Sequence, residues 1–322
     1  MVSIIIPLKQ DQGYLKACIE ACLEQSKSDG VEVEILVLPD DPLSWTDSRV
    51  TVEVTGPVSP ARKRNRGAQL SKGEILAFID DDTRPQPGWL KAALHHFTDP
   101  AMSAVGGPSI TPASDPFWAQ VSGVVYESWM MSGQERRRYL PLKECDVHDF
   151  PSCNLLVRKS VFEELGGFGT DFWPGEDTEF CLALIKKKYR IRYESRALIE
   201  HHRRPSLRRH FIQLGNYGLH RGYFAKRYPE TSLRFQYFVP TLFVLSGAAL
   251  SVLTILGQTF WGCLLMVLGS LYFLLGIFSL VGKPFKLLIG ALFVMLVSHV
   301  VYGIFFLRGL LASRLPEEID DK

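Results

Sequence analysis

Two long stretches of the chain carry no charged side chain, and they restrict its fold more than any other feature. Residues 235–282 contain no Lys, Arg, Asp or Glu, and neither do residues 287–307, where His299 is the only side chain that ordinarily titrates near neutral pH. A bilayer core needs about 20 apolar residues per helix, so the first stretch is long enough for two spans and the second for one. We therefore predict transmembrane helices at 236–257, 260–282 and 287–307, followed by a polar tail at 308–322.

The charges before these stretches are unevenly divided. Residues 1–182 carry 17 Lys and Arg against 27 Asp and Glu, whereas residues 183–234 carry 14 against 3. Basic residues beside a span are retained on the cytoplasmic side and attract anionic lipid. The pattern predicts a multi-pass protein of the cell inner (plasma) membrane with a cytoplasmic N-terminal domain. Membrane lipids, and not nucleic acid, are the expected partner of the basic block.

The N-terminal region alternates short apolar runs with helical segments. Residues 2–6, 33–38, 50–54 and 75–79 have the character of strands, and a helix signal begins at Ser59-Pro60, where an N-cap residue precedes a proline. This alternation is typical of an α/β domain with a mostly parallel sheet and helices on both faces. Residues 108–149 show no pattern that places their elements.

Two acidic clusters stand at the ends of such elements. Asp80, Asp81 and Asp82 follow the apolar run that ends at Ile79, and Glu176-Asp177 opens a helical stretch about a hundred residues later. Carboxylates at the carboxyl end of a strand suit Mg²⁺ or Mn²⁺ held against a diphosphate, and the second cluster could supply a base. A solvated turn and a favourable helix N-terminus are the alternative explanations, and they remain open at this point.

The order of these features resembles family 2 glycosyltransferases. Residues 59–82, SPARKRNRGAQLSKGEILAFIDDD, place an Arg-Asn-x-Gly helix before a strand that ends in Asp-x-Asp. The resemblance continues through Gly166-Gly167-Phe168, Gly175-Glu176-Asp177 and Gln213-x-x-x-Tyr217-Gly218, and covers roughly residues 1–225. Trailing membrane helices are familiar in bacterial exopolysaccharide members. The resemblance implies a GT-A, Rossmann-like fold with a nucleotide-binding half at 1–100 and an acceptor half at 101–225.

The resemblance also implies roles for individual residues. A divalent ion would be held mainly by Asp82, assisted by Asp80, while His201 is either a further ligand or a polar partner of the strand end. Asp177 would be the catalytic base. The expected contacts of the nucleotide sugar are Pro7, Asp40, Arg62, Arg66, Asp80 and Asp81. The proline-flanked Pro39-Asp40-Asp41-Pro42 leaves the base-binding acid open between Asp40 and Asp41, of which we choose Asp40. For Arg62 and Arg66, the alternative is the solvated face of a helix.

The acceptor side is predicted from fewer signals. The expected acceptor or phosphate contacts are Trp173, Glu176, Arg204, Gln213 and Tyr217. The basic segment that contains the last three could instead be an interfacial helix on lipid headgroups, and Trp173 could be a core or lid residue. Processive synthases carry Gln-x-x-Arg-Trp in this region, but here Gln213 is followed by Leu-Gly-Asn-Tyr. This difference favours the addition of one sugar per encounter.

Together with the apolar stretches, the resemblance implies a membrane-anchored inverting glycosyltransferase that uses a nucleotide sugar, with a UDP-sugar favoured, and Mg²⁺ or Mn²⁺. The expected acceptor is a polyprenyl-linked saccharide in exopolysaccharide or envelope-glycan assembly. Synthesis of a glycolipid and transfer to polyprenyl phosphate are the close alternatives. A catalytically silent, nucleotide-binding membrane scaffold is the alternative from a different class of protein.

Overall fold

The structure is a computed structural model that describes residues 1–318. These residues form two compact units. The first consists of Met1–Pro112 and Arg137–His202, and the second of Ala113–Arg136 and the chain from Arg203 onward. The domain boundary expected at residue 225 stays a prediction, and residues 319–322 of the expected polar tail lie outside the described part.

The strands all belong to the first unit. They are β1 (Val2–Leu8), β2 (Val33–Pro39), β3 (Val50–Val52), β4 (Ile75–Ile79), β5 (Thr83–Pro85), β6 (Met102–Gly106), β7 (Ser109–Ile110), β8 (Cys145–Val147), β9 (Asn154–Arg158), β10 (Arg190–Tyr193) and β11 (Ile199–His201). The helices are α1 (Leu15–Asp29), α2 (Pro60–Leu70), α3 (Trp89–His96), α4 (Phe117–Glu127), α5 (Trp129–Ser132), α6 (Lys159–Glu164), α7 (Glu176–Lys186), α8 (Leu207–Arg227), α9 (Pro229–Ser232), α10 (Phe235–Ile255), α11 (Thr259–Ser279) and α12 (Phe285–Leu311).

A mixed, mostly parallel sheet forms the centre of the first unit. Its strand order is β3-β2-β1-β4-β9-β6-β10-β8, in which β1 pairs in parallel with both β2 and β4, and β9 runs antiparallel between β4 and β6. Side chains alternate between the faces, so Ile4 and Ile6 belong to one core and Ile5 to the other. Burial on both faces explains why β1 is apolar apart from Ser3. The predicted α/β architecture is confirmed.

A second, three-stranded sheet includes β5, the strand that follows β4 in the chain. Its strand order is β5-β11-β7, with β11 antiparallel to β5 and parallel to β7. The register pairs Thr83 with His201. The turn that holds the acidic triplet therefore leads directly into a strand whose partner carries His201.

The second unit contains the three long apolar helices. Within the described residues, α10, α11 and the helix that starts at Phe285 are long and apolar enough to cross a membrane. The prediction of three such helices is confirmed. Helix α8 packs closely on α12, because a Cβ added to Gly222 would lie 2.0 Å from the carbonyl oxygen of Phe306.

The segment without a readable pattern is helical in its middle part. Helix α4 buries Val121, Val124 and Val125 in a cluster that contains Ala291 and Met295 of α12. Ser128 Oγ donates a hydrogen bond of 2.9 Å to Ser279 Oγ at the end of α11. This segment is therefore organised by long-range packing against the apolar helices, and local sequence does not reveal that packing.

Candidate active site

The acidic triplet occupies a tight turn after β4. The carbonyl oxygen of Asp80 accepts hydrogen bonds from Thr83 Oγ1 at 2.7 Å and from the Thr83 amide at 3.2 Å. The carbonyl oxygen of Asp82 accepts from the His202 amide at 3.0 Å. These bonds connect the turn to the β5–β11 pair, and they bring His201 Nε2 to 3.1 Å from Asp82 Oδ1.

Asp80, Asp82 and His201 have the arrangement of a metal site. Each offers one ligand atom, and the three atoms lie within 4.8 Å of one another. Two carboxylates with one imidazole suit Mn²⁺ or Mg²⁺, which prefer oxygen ligands and tolerate a nitrogen donor. The ligand set expected from the sequence is thus brought together, and its use as a metal site stays a prediction.

The acids of this turn raise the pKa values of their neighbours. Burial lowers the pKa of His201, but the charge of Asp82 and its hydrogen bond outweigh that effect and raise the pKa to about 10. The pKa of Asp81 rises to about 7, because the side chain is partly buried and lies beside the charges of Asp82 and Asp80. A divalent cation would compete with a proton for His201, since a ligand nitrogen must be unprotonated.

Arg64 connects the two acidic segments. Its Nη2 donates to Asp80 Oδ1 at 2.8 Å, and its Nη1 donates to Glu176 Oε1 at 2.8 Å. The side chains of Arg64 and Glu176 are only 4% and 5% exposed, so both bonds are largely shielded from water. The turn after β4 and the start of α7 therefore meet at one guanidinium group, as predicted for a shared site.

Asp177 lies beside this contact at the start of α7. Its Oδ1 accepts from the Thr178 amide at 2.8 Å and its Oδ2 from the Ser152 amide at 3.3 Å. Nearby, Asp149 accepts from Thr178 Oγ1 and forms an ion pair of 3.3 Å with Arg138. The carboxylate of Asp177 is thus held by backbone amides next to a second acid.

Burial raises the pKa values of both acids at the start of α7. The pKa of Glu176 rises to about 7 through burial and the charge of Asp177, although Arg64 opposes the change. The pKa of Asp177 rises above its usual range through burial and the charge of Asp149, against the opposing charges of Arg138 and Arg64. Perturbed carboxyl pKa values of this kind are typical of groups that transfer protons.

The Arg-Asn-x-Gly motif of α2 has a structural explanation. Ser59 caps the helix by accepting from the Arg62 amide. Asn65 clamps the Gly167-Phe168 turn, since it donates to the Phe168 carbonyl oxygen and accepts from the Phe168 amide, both at 2.9 Å. A Cβ on Gly67 would lie 2.6 Å from Ile5 Cγ2 of β1. The motif therefore fixes α2 against the sheet with Arg64 facing the acids.

Asp40, at the end of β2, is paired with a buried lysine. Lys63 Nζ lies 2.6 Å from Asp40 Oδ1 and also donates to Thr55 Oγ1 at 2.8 Å. The side chain of Lys63 is 3% exposed. Asp41 is exposed, and Pro7 is buried in β1 opposite Leu38 of β2. The choice between Asp40 and Asp41 for the nucleobase stays a prediction.

The two arginines expected to hold phosphates lie on the outer side of α2. Arg62 pairs with Asp171 at 2.5 Å, and Arg66 pairs with Glu53 at 2.6 Å. Their role in donor binding stays a prediction. Sequence reasoning missed Lys63 and Arg64, which are the buried cations of the same charge run. The signal was present in the small residues Ala61, Gly67 and Ala68, which mark the buried face.

The remaining predicted contacts divide between the two units. Trp173 belongs to the first unit and is 54% exposed. Arg204, Gln213 and Tyr217 belong to the second unit, where Gln213 Nε2 donates to the Tyr217 hydroxyl at 3.1 Å. Their part in acceptor binding stays a prediction.

Comparison with known proteins decides the family of the chain. The model of glycosyl transferase family 2 matches residues 3–166, which include α2, β4 and the acidic turn. The chain belongs to glycosyl transferase family 2. The family predicted from the Arg-Asn-x-Gly and Asp-x-Asp motifs is therefore confirmed.

Two curated relatives illustrate how far the sequence similarity extends. The pre-mycofactocin glycosyltransferase of Mycobacterium tuberculosis is 32% identical over 171 residues, which cover 53% of this chain but only 36% of that protein. The dolichyl N-acetyl-alpha-D-glucosaminyl phosphate 3-beta-D-2,3-diacetamido-2,3-dideoxy-beta-D-glucuronosyltransferase of Methanococcus voltae is 22% identical over 246 residues, covering 70% of this chain and 74% of that protein.

A solved structure extends the similarity of fold over nearly the whole chain. The mannosyltransferase PcManGT from Pyrobaculum calidifontis, in complex with GDP-Man and Mn²⁺, superposes with a TM-score of 0.64 at 17% identity. The match covers 97% of this chain and 88% of PcManGT. It confirms the GT-A-like fold.

Proposed function

We propose that this family 2 protein is a membrane-anchored inverting glycosyltransferase that moves a sugar from a nucleotide-sugar donor to a lipid-linked acceptor. The observation that carries the proposal is the contact of Arg64 with both Asp80 and Glu176. It supports a single site in which the acids after β4 serve the donor and those at the start of α7 serve the acceptor.

On the donor side, Asp82, Asp80 and His201 would hold Mg²⁺ or Mn²⁺. Bound there, the ion would supply positive charge that stabilises a diphosphate leaving group. Asp40 accepts a hydrogen bond from the nucleobase, with Asp41 as the alternative. Pro7 and Asp81 also contribute to the donor site, and Arg62 and Arg66 donate to the phosphates, for which guanidinium groups are well suited.

On the acceptor side, Asp177 removes the proton from the attacking hydroxyl group. Its raised pKa makes it a stronger base than an ordinary aspartate while leaving it ionised at sufficiently high pH. Direct displacement by the activated hydroxyl inverts the configuration of the sugar carbon. Glu176, Trp173, Arg204, Gln213 and Tyr217 contact the acceptor or its phosphate.

The apolar helices and the relatives support a lipid-linked acceptor. Three candidate membrane helices would hold the enzyme beside such a lipid, and the name of the Methanococcus voltae relative describes transfer to a dolichyl-linked saccharide. We favour a polyprenyl-linked saccharide of exopolysaccharide or envelope-glycan assembly, used at the cytoplasmic face of the inner membrane. A glycolipid synthase and a polyprenyl-phosphate glycosyltransferase remain the alternatives.

The donor is expected to be a UDP-sugar, and the test begins there. The full chain, purified in lipid nanodiscs with Mn²⁺, would be screened by thermal shift against UDP-, GDP- and dTDP-sugars. The best donor would then be offered with a polyprenyl-diphosphate saccharide, polyprenyl phosphate or diacylglycerol, and the product analysed by mass spectrometry and NMR. Transfer with an inverted anomeric centre is the expected result.

Three outcomes would count against the proposal. Stabilisation by nucleotides without transfer to any acceptor would favour the catalytically silent scaffold. A product with retained configuration would contradict direct displacement by Asp177. Failure of every nucleotide sugar to bind would contradict the donor site itself.

A further inference from the structure

Arg64 is placed unlike the other cations of α2. Lys63 ends among oxygens near Asp40, and Arg62 and Arg66 form ion pairs on the outer side of the helix, whereas Arg64 lies between the two acidic segments of the candidate site. Its side chain is 4% exposed. A buried guanidinium between two carboxylates is retained only where both bonds are well formed, because desolvation of the charges costs several kcal/mol.

Arg64 binds one carboxylate oxygen of Asp80 and one of Glu176. Asp80 is bound through Oδ1, and its Oδ2 has no hydrogen-bond partner within residues 1–318, so that oxygen can turn to a cation. Glu176 uses Oε1 for Arg64 and Oε2 for the Gly175 amide at 3.1 Å. Both carboxylate oxygens of Glu176 therefore help to hold the start of α7, where Asp177 follows directly.

The planar fork of arginine is required for this arrangement. One guanidinium presents its two terminal nitrogens to two different acids at fixed directions, which the single ammonium of lysine does not reproduce. The Nε of Arg64 is buried and has no hydrogen-bond partner within the described residues, which indicates that the two acids, and not the best use of all its donors, determine its position.

We propose that Arg64 is a positioning residue that sets the distance between the metal-binding acid Asp80 and the helix start that carries the base Asp177. The inference rests on the proposed function and deepens it. Arg64 itself touches neither the sugar nor the acceptor. It acts by holding one oxygen of each acid, so that the cation-bound donor and the activated hydroxyl group are assembled at one reacting distance.

The central variant is Arg64→Lys in the full chain in nanodiscs, with Mn²⁺ alone as the first probe. Lysine keeps the charge but can bridge only one acid well. We expect the dissociation constant for Mn²⁺, measured by calorimetry, to rise severalfold. We expect kcat to fall by about 10- to 100-fold, since small misplacements of reacting groups can cost this much.

A double-mutant cycle tests whether Arg64 acts through Glu176. Glu176→Gln keeps an oxygen acceptor but removes the charge, and it is combined with Arg64→Lys. If the two residues form one positioning unit, the loss of kcat in the double variant will be well below the product of the single losses. Independent, multiplicative losses would contradict the bridging role.

A matched control separates positioning from general stability. Arg158→Lys makes the same change at an arginine that donates to the carbonyl oxygens of Met102 and Phe97. It is expected to lower the melting temperature while leaving Mn²⁺ affinity and kcat near those of the unmodified chain. The proposal is overturned if folded Arg64→Lys keeps its Mn²⁺ affinity and its kcat within twofold of the unmodified chain. It is also overturned if, in both arginine variants, Mn²⁺ affinity and kcat fall in proportion to the decrease in melting temperature.

The Mn²⁺ measurement also separates this inference from the proposed function. An unmodified chain that transfers no sugar would defeat the proposed function alone. Weakened Mn²⁺ binding in Arg64→Lys, with unchanged binding in Arg158→Lys, would still support the positioning of Asp80 by Arg64. Unchanged Mn²⁺ binding in Arg64→Lys would contradict this positioning role, whatever the activity.

Discussion

Asp177 is the residue on which the proposed chemistry depends most directly, and its surroundings give it a testable acid limb. A base must be ionised to accept a proton, so activity should fall as the pH drops through the pKa of Asp177. Burial and the charge of Asp149 place that pKa above the usual range of an aspartate. The loss of activity should therefore occur at a higher pH than an ordinary carboxyl group would give.

Removing the charge of Asp149 should move this limb. In Asp149→Asn, one source of the raised pKa is absent and the opposing charge of Arg138 remains, so the acid limb of kcat/KM should shift to lower pH. The measurement is a pH profile of both proteins. Asp146→Asn is the control, because Asp146 pairs with Arg190 and Arg192. A limb that does not move in Asp149→Asn would argue against Asp177 as the base.

The acid at the end of β2 can be identified by nucleotide binding. Lys63 holds Asp40 in a half-buried position, whereas Asp41 is exposed. Asp40→Ala should therefore weaken binding of the free nucleoside diphosphate by about 10- to 150-fold, which corresponds to the loss of a charge-assisted hydrogen bond of about 1.5–3 kcal/mol. Asp41→Ala should leave the dissociation constant nearly unchanged. The reverse result, by calorimetry, would assign the contact to Asp41.

At the scale of single residues, the sequence predicts the acidic residues of the candidate site better than its buried basic residues. Asp80, Asp82 and Asp177 follow recognisable element ends, so a motif is enough to find them. Lys63 and Arg64 lie in a run of four basic residues that reads as a solvated helix face. Their burial depends on which face of α2 meets the sheet, and only Ala61, Gly67 and Ala68 hint at that.

Among the elements, the contact between α8 and α12 depends on glycine. A Cβ at Gly222 would lie 2.0 Å from the carbonyl oxygen of Phe306. Gly222→Ala should therefore force the helices apart and destabilise the protein by about 1–3 kcal/mol, as overpacking typically does. Thermal unfolding in nanodiscs, followed by tryptophan fluorescence, would report a lower melting temperature.

Gly269→Ala is the matched control for this prediction. A Cβ at Gly269 of α11 meets no atom within 4 Å, and alanine favours the helix by about 1 kcal/mol over glycine. Its melting temperature should be unchanged or slightly higher. Equal effects of the two substitutions would mean that the α8–α12 contact does not depend on close backbone approach.

Elements with regular patterns were predictable, and those held by distant packing were not. The buried strand β1 and the apolar helices are predictable because their residues are mostly hydrophobic, whatever elements they pack against. The local sequence does not predict helix α4, because Val121, Val124 and Val125 are buried by residues of α12 more than 160 positions later in the chain. A single sequence carries little information about such a contact.

For the whole molecule, the distribution of charge predicts which loops share a side of the membrane. With the N-terminal unit in the cytoplasm, the α10–α11 loop should lie outside and the α11–α12 loop, with Lys283 and Lys286, inside. Cysteines introduced by Gln258→Cys and Lys286→Cys, in a variant without the exposed Cys263, can be labelled with an impermeant maleimide.

Residue 258 should be labelled in intact cells, and residue 286 only after the membrane is permeabilised. Labelling of residue 286 in intact cells would show that the orientation is the reverse of the proposed one. The proposed nucleotide-sugar site would then face away from cytoplasmic donors. The three helices themselves followed from composition alone, whereas the division into two units, with residues 113–136 in the second, did not.

The most direct test of the central claim compares Mn²⁺-dependent donor binding with sugar transfer in Asp82→Ala and Asp177→Asn. If the two acidic segments form one site with separate tasks, Asp82→Ala will lose both Mn²⁺-dependent binding and transfer. Asp177→Asn will bind the donor and Mn²⁺ normally but transfer at most about 1% as fast, because general-base catalysis contributes about 10²- to 10⁴-fold. Normal turnover by Asp177→Asn, or unchanged Mn²⁺ dependence in Asp82→Ala, would contradict the account.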